Sequence, residues 1–349
     1  MISVVVPTLN CARDIDSHLE SLKLLKGIVK EFVFVDSSSE DGTAEKIAKF
    51  LRSDVSGVLV SCPPGLYAAW NKGVSVAKGG WVTFATVGDT QNPSGLQHLM
   101  EIAENFSADV VVSPPLMMAG RKSVEDSWPI HHLAVNKQSP HLMTQEESIR
   151  WLCGFIPGTA MGSAASNLYR RKFLLDHPFP SNFGHEGDVA WGIQVSTKVK
   201  LVVTPQTCAA FEVHARSTPL DALVQKLRFE QLVDLSLEHL TDFPHILAEF
   251  QILWKRQSEL LQWVIELENV AETNCEQKSY IFQLESERKR LMGEVERLGK
   301  IPFTNFMPPL KMAHLGPLLR RLPSFFWGNQ IAMDFLKKDT PNNPTKIDG

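Results

Sequence analysis

Within residues 1–120, short apolar runs alternate with helical stretches, and the runs lead into polar or turn-forming residues. Ile2-Ser3-Val4-Val5-Val6 stops at Pro7, and Phe32-Val33-Phe34-Val35 stops at Asp36. Trp81-Val82-Thr83-Phe84-Ala85 leads into Gly88-Asp89, and Val58-Leu59-Val60 and Val110-Val111-Val112 add two more runs. Unbroken runs of this kind suit strands covered on both faces, because a half-exposed strand would alternate apolar with polar. Between the runs, Ala12–Lys26 carries Ile15, Leu19 and Leu22 on one helical face, and a helix to Leu51 has Thr43 at the N-cap position. This alternation predicts a mostly parallel α/β sheet. Further on, the pattern predicts helices over Ser166–Leu175 and Asp188–Thr197, and a strand at Lys200-Leu201-Val202-Val203.

The chain has 349 residues, a length that suggests more than one domain, and 44% of them are hydrophobic, enough for a large core. The expected division is 1–218 for the α/β domain, 219–300 for a helical region, and 301–349 for a Pro- and aromatic-rich tail with a disordered end. Over 253–298 one heptad frame holds, with Leu253, Leu260, Leu267, Asn274, Ile281, Arg288 and Val295 at a. Arg256, Trp263, Val270, Gln277, Leu284, Leu291 and Leu298 occupy d, which predicts a coiled coil and a homodimer through it. A long helix packed on its own domain is the alternative.

A net charge of −4 leaves no global footprint for nucleic acid. Cys11, Cys62, Cys153, Cys208 and Cys275 are widely spaced without a CxxC pair, as for reduced thiols in a cytosolic protein. No basic leader or long apolar run opens a route into or across a membrane. The expectation is a cytoplasmic protein, with any membrane contact peripheral to the inner face. Phe325-Phe326-Trp327 among Arg320, Arg321, Lys337 and Lys338 is a candidate for such contact, or a packed helix.

Ligands of open α/β sheets sit beyond the carboxyl ends of the strands, and polar clusters gather at or near those ends. Pro7-Thr8-Leu9-Asn10 offers backbone groups and a hydroxyl. Asp36-Ser37-Ser38-Ser39-Glu40-Asp41-Gly42-Thr43 offers a carboxylate for a base edge or ribose hydroxyl, among residues small enough for close approach. Gly65-Leu66-Tyr67-Ala68-Ala69-Trp70-Asn71-Lys72-Gly73 puts aromatic faces, an amide and a cation at a helix start, suited to phosphates. It lacks the pattern of a P-loop. Asp89, after Gly88, can ligate a divalent metal near a diphosphate. Taken alone, Pro7–Asn10 also fits a plain strand-to-helix turn, Asp36–Thr43 a capped turn and Gly88-Asp89 an ordinary turn.

Taken in order, Ser3–Asn10, Val35-Asp36 with Ser39–Thr43, Gly65–Gly73 and Gly88-Asp89 resemble the family 2 glycosyltransferases of GT-A fold, bacterial surface-polysaccharide type. The resemblance covers about residues 1–215. It implies an inverting transferase that moves a sugar from a nucleotide-sugar donor to a hydroxyl of a glycan or lipid-linked glycan. Pro7, Thr8, Asn10 and Asp36 would line the nucleoside pocket, and Ser39, Asn71, Lys72 and Gly88 would help hold the donor. Asp89 would bind Mn²⁺ or Mg²⁺, although Thr90 follows where the family often shows further acids. The family's carboxylate base falls within Phe183–Trp191, with Asp188 the first choice and Glu186 the second. Asp188 capping its helix is the structural alternative. His214 falls in a loop closing the site, as a phosphate or metal contact or an ordinary surface residue. His131, His132 and His141, with no carboxylate at ligand spacing, read as loop residues facing the acceptor. Two other classes remain. One is a catalytically degenerate nucleotide-sugar-binding module on a coiled-coil scaffold; the other is a nucleotidyltransferase, which would bring a Gly- and Arg-rich opening loop where only Arg13 is present.

Overall fold

The computed structural model describes residues 1–53, 55–120, 122–124, 128–135, 137–213 and 222–273. It divides into two compact units, Met1–Ala215 and Arg216–Gly349. His214, the heptads beyond 273 and the aromatic tail lie outside the described residues.

The first unit opens with β1 (Ile2–Thr8), α1 (Ile15–Lys23), β2 (Val29–Asp36), α2 (Thr43–Leu51), β3 (Gly57–Ser61), α3 (Leu66–Val76) and β4 (Trp81–Phe84). It continues with β5 (Thr90–Gln91), α4 (Pro93–Asn105), β6 (Val110–Val112), β7 (Leu116–Ala119), β8 (Lys122–Ser123), α5 (Pro129–Val135), β9 (His141–Leu142) and α6 (Gln145–Gly154). Then come β10 (Asn167–Arg170), α7 (Arg171–Asp176), α8 (Gly187–Val195), β11 (Leu201–Val203) and β12 (Ala209–Glu212).

One sheet runs β3-β2-β1-β4-β10-β6-β11-β9. β3, β2, β1 and β4 are mutually parallel, as are β6 and β11. Every residue of β1, β6 and β11 is buried, as the unbroken apolar runs require. The chain steps outward from β1 to β3 and then returns to lay β4 on the other side of β1. That reversal opens a crevice at the carboxyl ends of β1, β2 and β4, where the polar clusters lie.

Three expectations are corrected. Ser166–Leu175 is not one helix, because Asn167–Arg170 forms β10, antiparallel between β4 and β6. Its first three residues are buried in the gap between the two parallel groups of strands, so tertiary pairing overrides a local helical pattern. Thr43 is the first residue of α2 rather than its N-cap; Gly42 takes the cap position at φ +92°. The Thr43 hydroxyl instead accepts from Cys11 N (2.9 Å) and donates to Asp41 (2.6 Å). His131 and His132 belong to α5 and His141 to β9, not to loops.

A smaller sheet, β5-β12-β7-β8, sets β12 antiparallel to β5, pairing Ala210 with Thr90. Its effect is to bring Glu212 back to Asp89. In the second unit, α9 (Ala222–His239) and α10 (Pro244–Thr273) pack on one another. They bury Phe229, Leu232, Leu240, Ile246 and Phe250. No helix among the described residues is long and apolar enough to cross a membrane.

Candidate active site

Thr8 and Asp36 are the terminal residues of paired strands and stand opposite each other in register. The buried Asp36 carboxylate accepts from Thr8 Oγ1 (2.9 Å), Ser39 N (2.8 Å) and Ser39 Oγ (2.7 Å). An ionised carboxyl has about four acceptor positions, so about one remains for a donor from outside. Asn10, in the left-handed region at φ +47°, donates its N–H to Ser39 Oγ (2.8 Å) and accepts Glu40 N–H at Oδ1 (2.9 Å). Asp41 accepts from Ala12 N (2.8 Å) and from Thr43, whose hydroxyl bond first of all holds the carboxyl below its ordinary range. These bonds stitch the loops after β1 and β2 into one preformed wall. Pro7 is buried in β1.

Asp89 lies on the far side of the crevice, after Gly88 (φ +107°). It is 5% exposed, and burial, with the Glu212 charge adding to it, lifts its carboxyl to about 7. Its bonds are long: Glu212 N–H reaches Oδ1 at 3.3 Å and Ser163 Oγ reaches Oδ2 at 3.5 Å. A buried carboxylate beside a second one is poorly compensated, and a cation would relieve it. Mg²⁺ commonly takes one or two carboxylates and completes its shell with substrate phosphates, so the residues fit such an ion. Among the described residues no group of three or more His, Cys, Asp or Glu is gathered for a metal.

Asp188 is in the first turn of α8, after a single 3₁₀ turn at Gly184–Glu186. Its Oδ1 accepts from Tyr67 OH and from Val189 N, each at 2.9 Å, and the Thr159 hydroxyl also bonds the carboxyl. Burial raises the carboxyl above its ordinary value, opposed first by the Tyr67 bond. Glu186 is the N-cap residue of α8 and makes no side-chain cap bond. A Cβ added at Gly187 would lie 2.4 Å from two Tyr67 ring carbons, so only glycine permits this approach. Gly187→Ala is therefore expected to cost about 1–3 kcal/mol and to pull Tyr67 off Asp188. Denaturant unfolding checks the first effect, and loss of activity beyond the loss of folded protein checks the second.

A buried aromatic cluster packs against Tyr67. Trp70 stacks on Phe84 (4.3 Å between centroids), and Phe179 stacks on Trp191 (4.7 Å). The Asn71 amide clamps Phe179, with Nδ2 donating to its carbonyl (2.8 Å) and Oδ1 accepting its N–H (3.0 Å). Asn71 is thus occupied with the backbone of Phe179, whereas Lys72 is exposed on α3. Residues 155–163 form the remaining link, since Thr159 bonds Asp188 while Ser163 bonds Asp89. Four residues of extended chain span at most about 14 Å, so one short segment ties the surroundings of the two acids together.

The sequence alone singled out neither Thr159, Ser163 nor Glu212 as a partner of these acids. Glu212 has a local cue, since it falls two residues before His214. His131 accepts Trp128 N–H at Nδ1 (2.9 Å) and so donates from Nε2 to the Pro115 carbonyl (2.7 Å). His141 does have a carboxylate beside it, Glu147 at 3.2 Å, contrary to the expectation of none.

Residues 3–174 match the family model described as Glycosyl transferase family 2. The succinoglycan biosynthesis protein ExoO of Rhizobium meliloti is 29% identical over 111 residues, 32% of each chain. The uncharacterized glycosyltransferase YibD of Escherichia coli is 30% identical over 111 residues, 31% of this chain and 32% of its own. The matched segment thus spans about a third of these relatives' length. S. aureus TarS 1–349, solved with UDP-GlcNAc, superposes with a TM-score of 0.54 at 20% identity, covering 72% of this chain and 71% of that one. That likeness is one of fold.

Proposed function

Because residues 3–174 match the family 2 glycosyltransferase model, we propose that the chain moves a sugar from a nucleotide-sugar donor to a hydroxyl of a glycan or lipid-linked glycan, inverting the anomeric carbon. One observation supports the reading most: the short segment 155–163 bonds both Asp89, through Ser163, and Asp188, through Thr159, two carboxyls that burial raises. In a single displacement, the acceptor oxygen bonds the anomeric carbon as its proton passes to Asp188. The bond from that carbon to the diphosphate oxygen breaks, and its electron pair leaves with the nucleoside diphosphate. A base works best when its affinity for protons approaches the working pH, and the buried setting of Asp188 moves it that way.

Thr8, Asn10, Ser39 and Asp36 form the wall for the nucleoside, with the open acceptor position of Asp36 facing a base N–H or ribose hydroxyl. Asp89, with His214 as a second ligand, would hold a divalent metal, Mn²⁺ or Mg²⁺, which would neutralise charge on the departing diphosphate. Glu186 is the alternative base, and Lys72 supplies positive charge at the rim.

The test is release of nucleoside diphosphate from a panel of UDP-, GDP- and dTDP-sugars, with UDP-GlcNAc first because S. aureus TarS was solved with it. Release from one donor, accelerated by a saccharide acceptor, supports transfer; binding without release favours a degenerate module. For the helical region we propose self-association through the heptads that begin in α10. A dimer is expected by light scattering at micromolar concentration, and a monomer there contradicts it.

A further inference from the structure

We infer that Tyr67 is the positioning residue of the proton-accepting carboxylate, fixing the orientation and charge state of Asp188 from the facing helix. The inference rests on the assignment of Asp188 as base. Tyr67 is the second residue of α3, 121 positions from Asp188 in sequence, yet its hydroxyl meets Oδ1 at 2.9 Å and the His185 carbonyl at 2.8 Å. A phenol has one proton, so both acceptors share it, and the turn before α8 and the carboxylate within α8 are held by one atom. Burial, then the charge of Asp188, keeps the phenol protonated far above its ordinary range, so it is a donor at every working pH.

The ring has little freedom. Trp70 meets it edge-on at 5.2 Å, Phe179 stacks on it at 5.9 Å, and Gly187 closes the remaining side. Asn71, one helical turn further along α3, pins Phe179 and so acts on Asp188 at one remove. Tyr67 and Asn71, at spacing i, i+4 on α3, thus brace one carboxylate together. A tyrosine that merely filled the core would not end on an ionisable group in the cleft.

Several other groups face Asp188. Thr159 is a neutral donor, and Tyr169 on β10 feels the Asp188 charge while its own hydroxyl accepts from Asn167 Nδ2 (3.1 Å). Glu186 adds negative charge to the Tyr67 environment from the preceding turn. Neither Tyr169 nor Glu186 is among the donors that favour the ionised form of Asp188, so removal of the Tyr67 bond should show directly in its titration.

Tyr67→Phe in the full chain keeps every ring contact and deletes the donor. The Asp188 carboxyl is followed by ¹³C NMR and identified by the signal that vanishes in Asp188→Asn. Its midpoint is expected to rise by about one pH unit in Tyr67→Phe. With a donor in hand, the acid limb of the rate profile should move the same way. Turnover should fall about 10- to 100-fold while the KM for donor holds within about twofold. Should Tyr67→Phe not fold, a fluorinated tyrosine at position 67 keeps the shape and donates more strongly, and the midpoint is then expected to fall. An unmoved midpoint in either variant overturns the inference. A shifted midpoint alongside full turnover in Asp188→Asn keeps the Tyr67 link and removes the base assignment instead.

Discussion

Asp188→Asn is expected to slow sugar transfer by about 10²- to 10⁴-fold, the usual contribution of a positioned general base, while donor affinity stays within about twofold. Asparagine keeps the volume, and its carbonyl oxygen can still accept from Tyr67 and Val189, so α8 should begin as before. What it loses is the carboxylate oxygen that the proposed mechanism requires as proton acceptor. Initial rates of nucleoside diphosphate release, with donor affinity by calorimetry, separate the two effects. Full turnover in this variant would move the base to Glu186 or remove it from the mechanism.

Asp89→Asn is expected to show two effects of opposite sign. Several kcal/mol of transition-state charge stabilisation are at stake, so turnover should fall on the order of 10²- to 10³-fold. Stability should rise, in a way that depends on pH. The folded protein holds a proton on Asp89 up to about pH 7, whereas the unfolded chain releases it near pH 4. Across that window the wild type loses stability as pH rises, because the fold must shelter a charge it disfavours. Asparagine carries no such penalty. The variant should therefore match the wild type near pH 4 and exceed it by a few kcal/mol above pH 7. Mn²⁺ should narrow that gap by stabilising the wild type alone. Thermal unfolding from pH 4 to 8, with and without Mn²⁺, checks all of this. A gap independent of pH would mean that Asp89 is neither raised nor placed for a cation.

Much of the first unit is written locally. The buried strands announce themselves as unbroken β-branched and aromatic runs, and the residues that end them are the walls of the cleft, because strand ends are where a parallel sheet leaves polar groups free to meet a ligand. Asp36, Asp89 and Asp188 are placed by such ends and by one helix start. The helices α4 and α6 are also spelled out, by Asn92-Pro93 and by the Thr144 and Glu147 capping box, although periodicity alone did not single them out. What escaped the sequence is non-local. Asn167–Arg170 becomes a strand only because a slot exists between β4 and β6. Asn71 looks like a ligand-binding amide, yet its partner is a backbone 108 residues away. Tyr67 looks like a stacking face for a ligand, yet it turns inward to Asp188. Glu212 reaches Asp89 only through the pairing of β12 with β5. No period or spacing carries contacts of that kind.

The proposed chemistry divides the labour between two acids, and one experiment addresses that division directly. Wild type, Asp89→Asn and Asp188→Asn would be titrated with the donor that the panel selects, with Mn²⁺ present, and nucleoside diphosphate release measured in parallel. The expected result is that the wild type binds and turns over, Asp188→Asn binds but does not turn over, and Asp89→Asn loses metal-dependent binding and turnover together. Equal turnover in all three, or a wild type that binds a nucleotide sugar and never releases the nucleoside diphosphate with any saccharide acceptor, would contradict it.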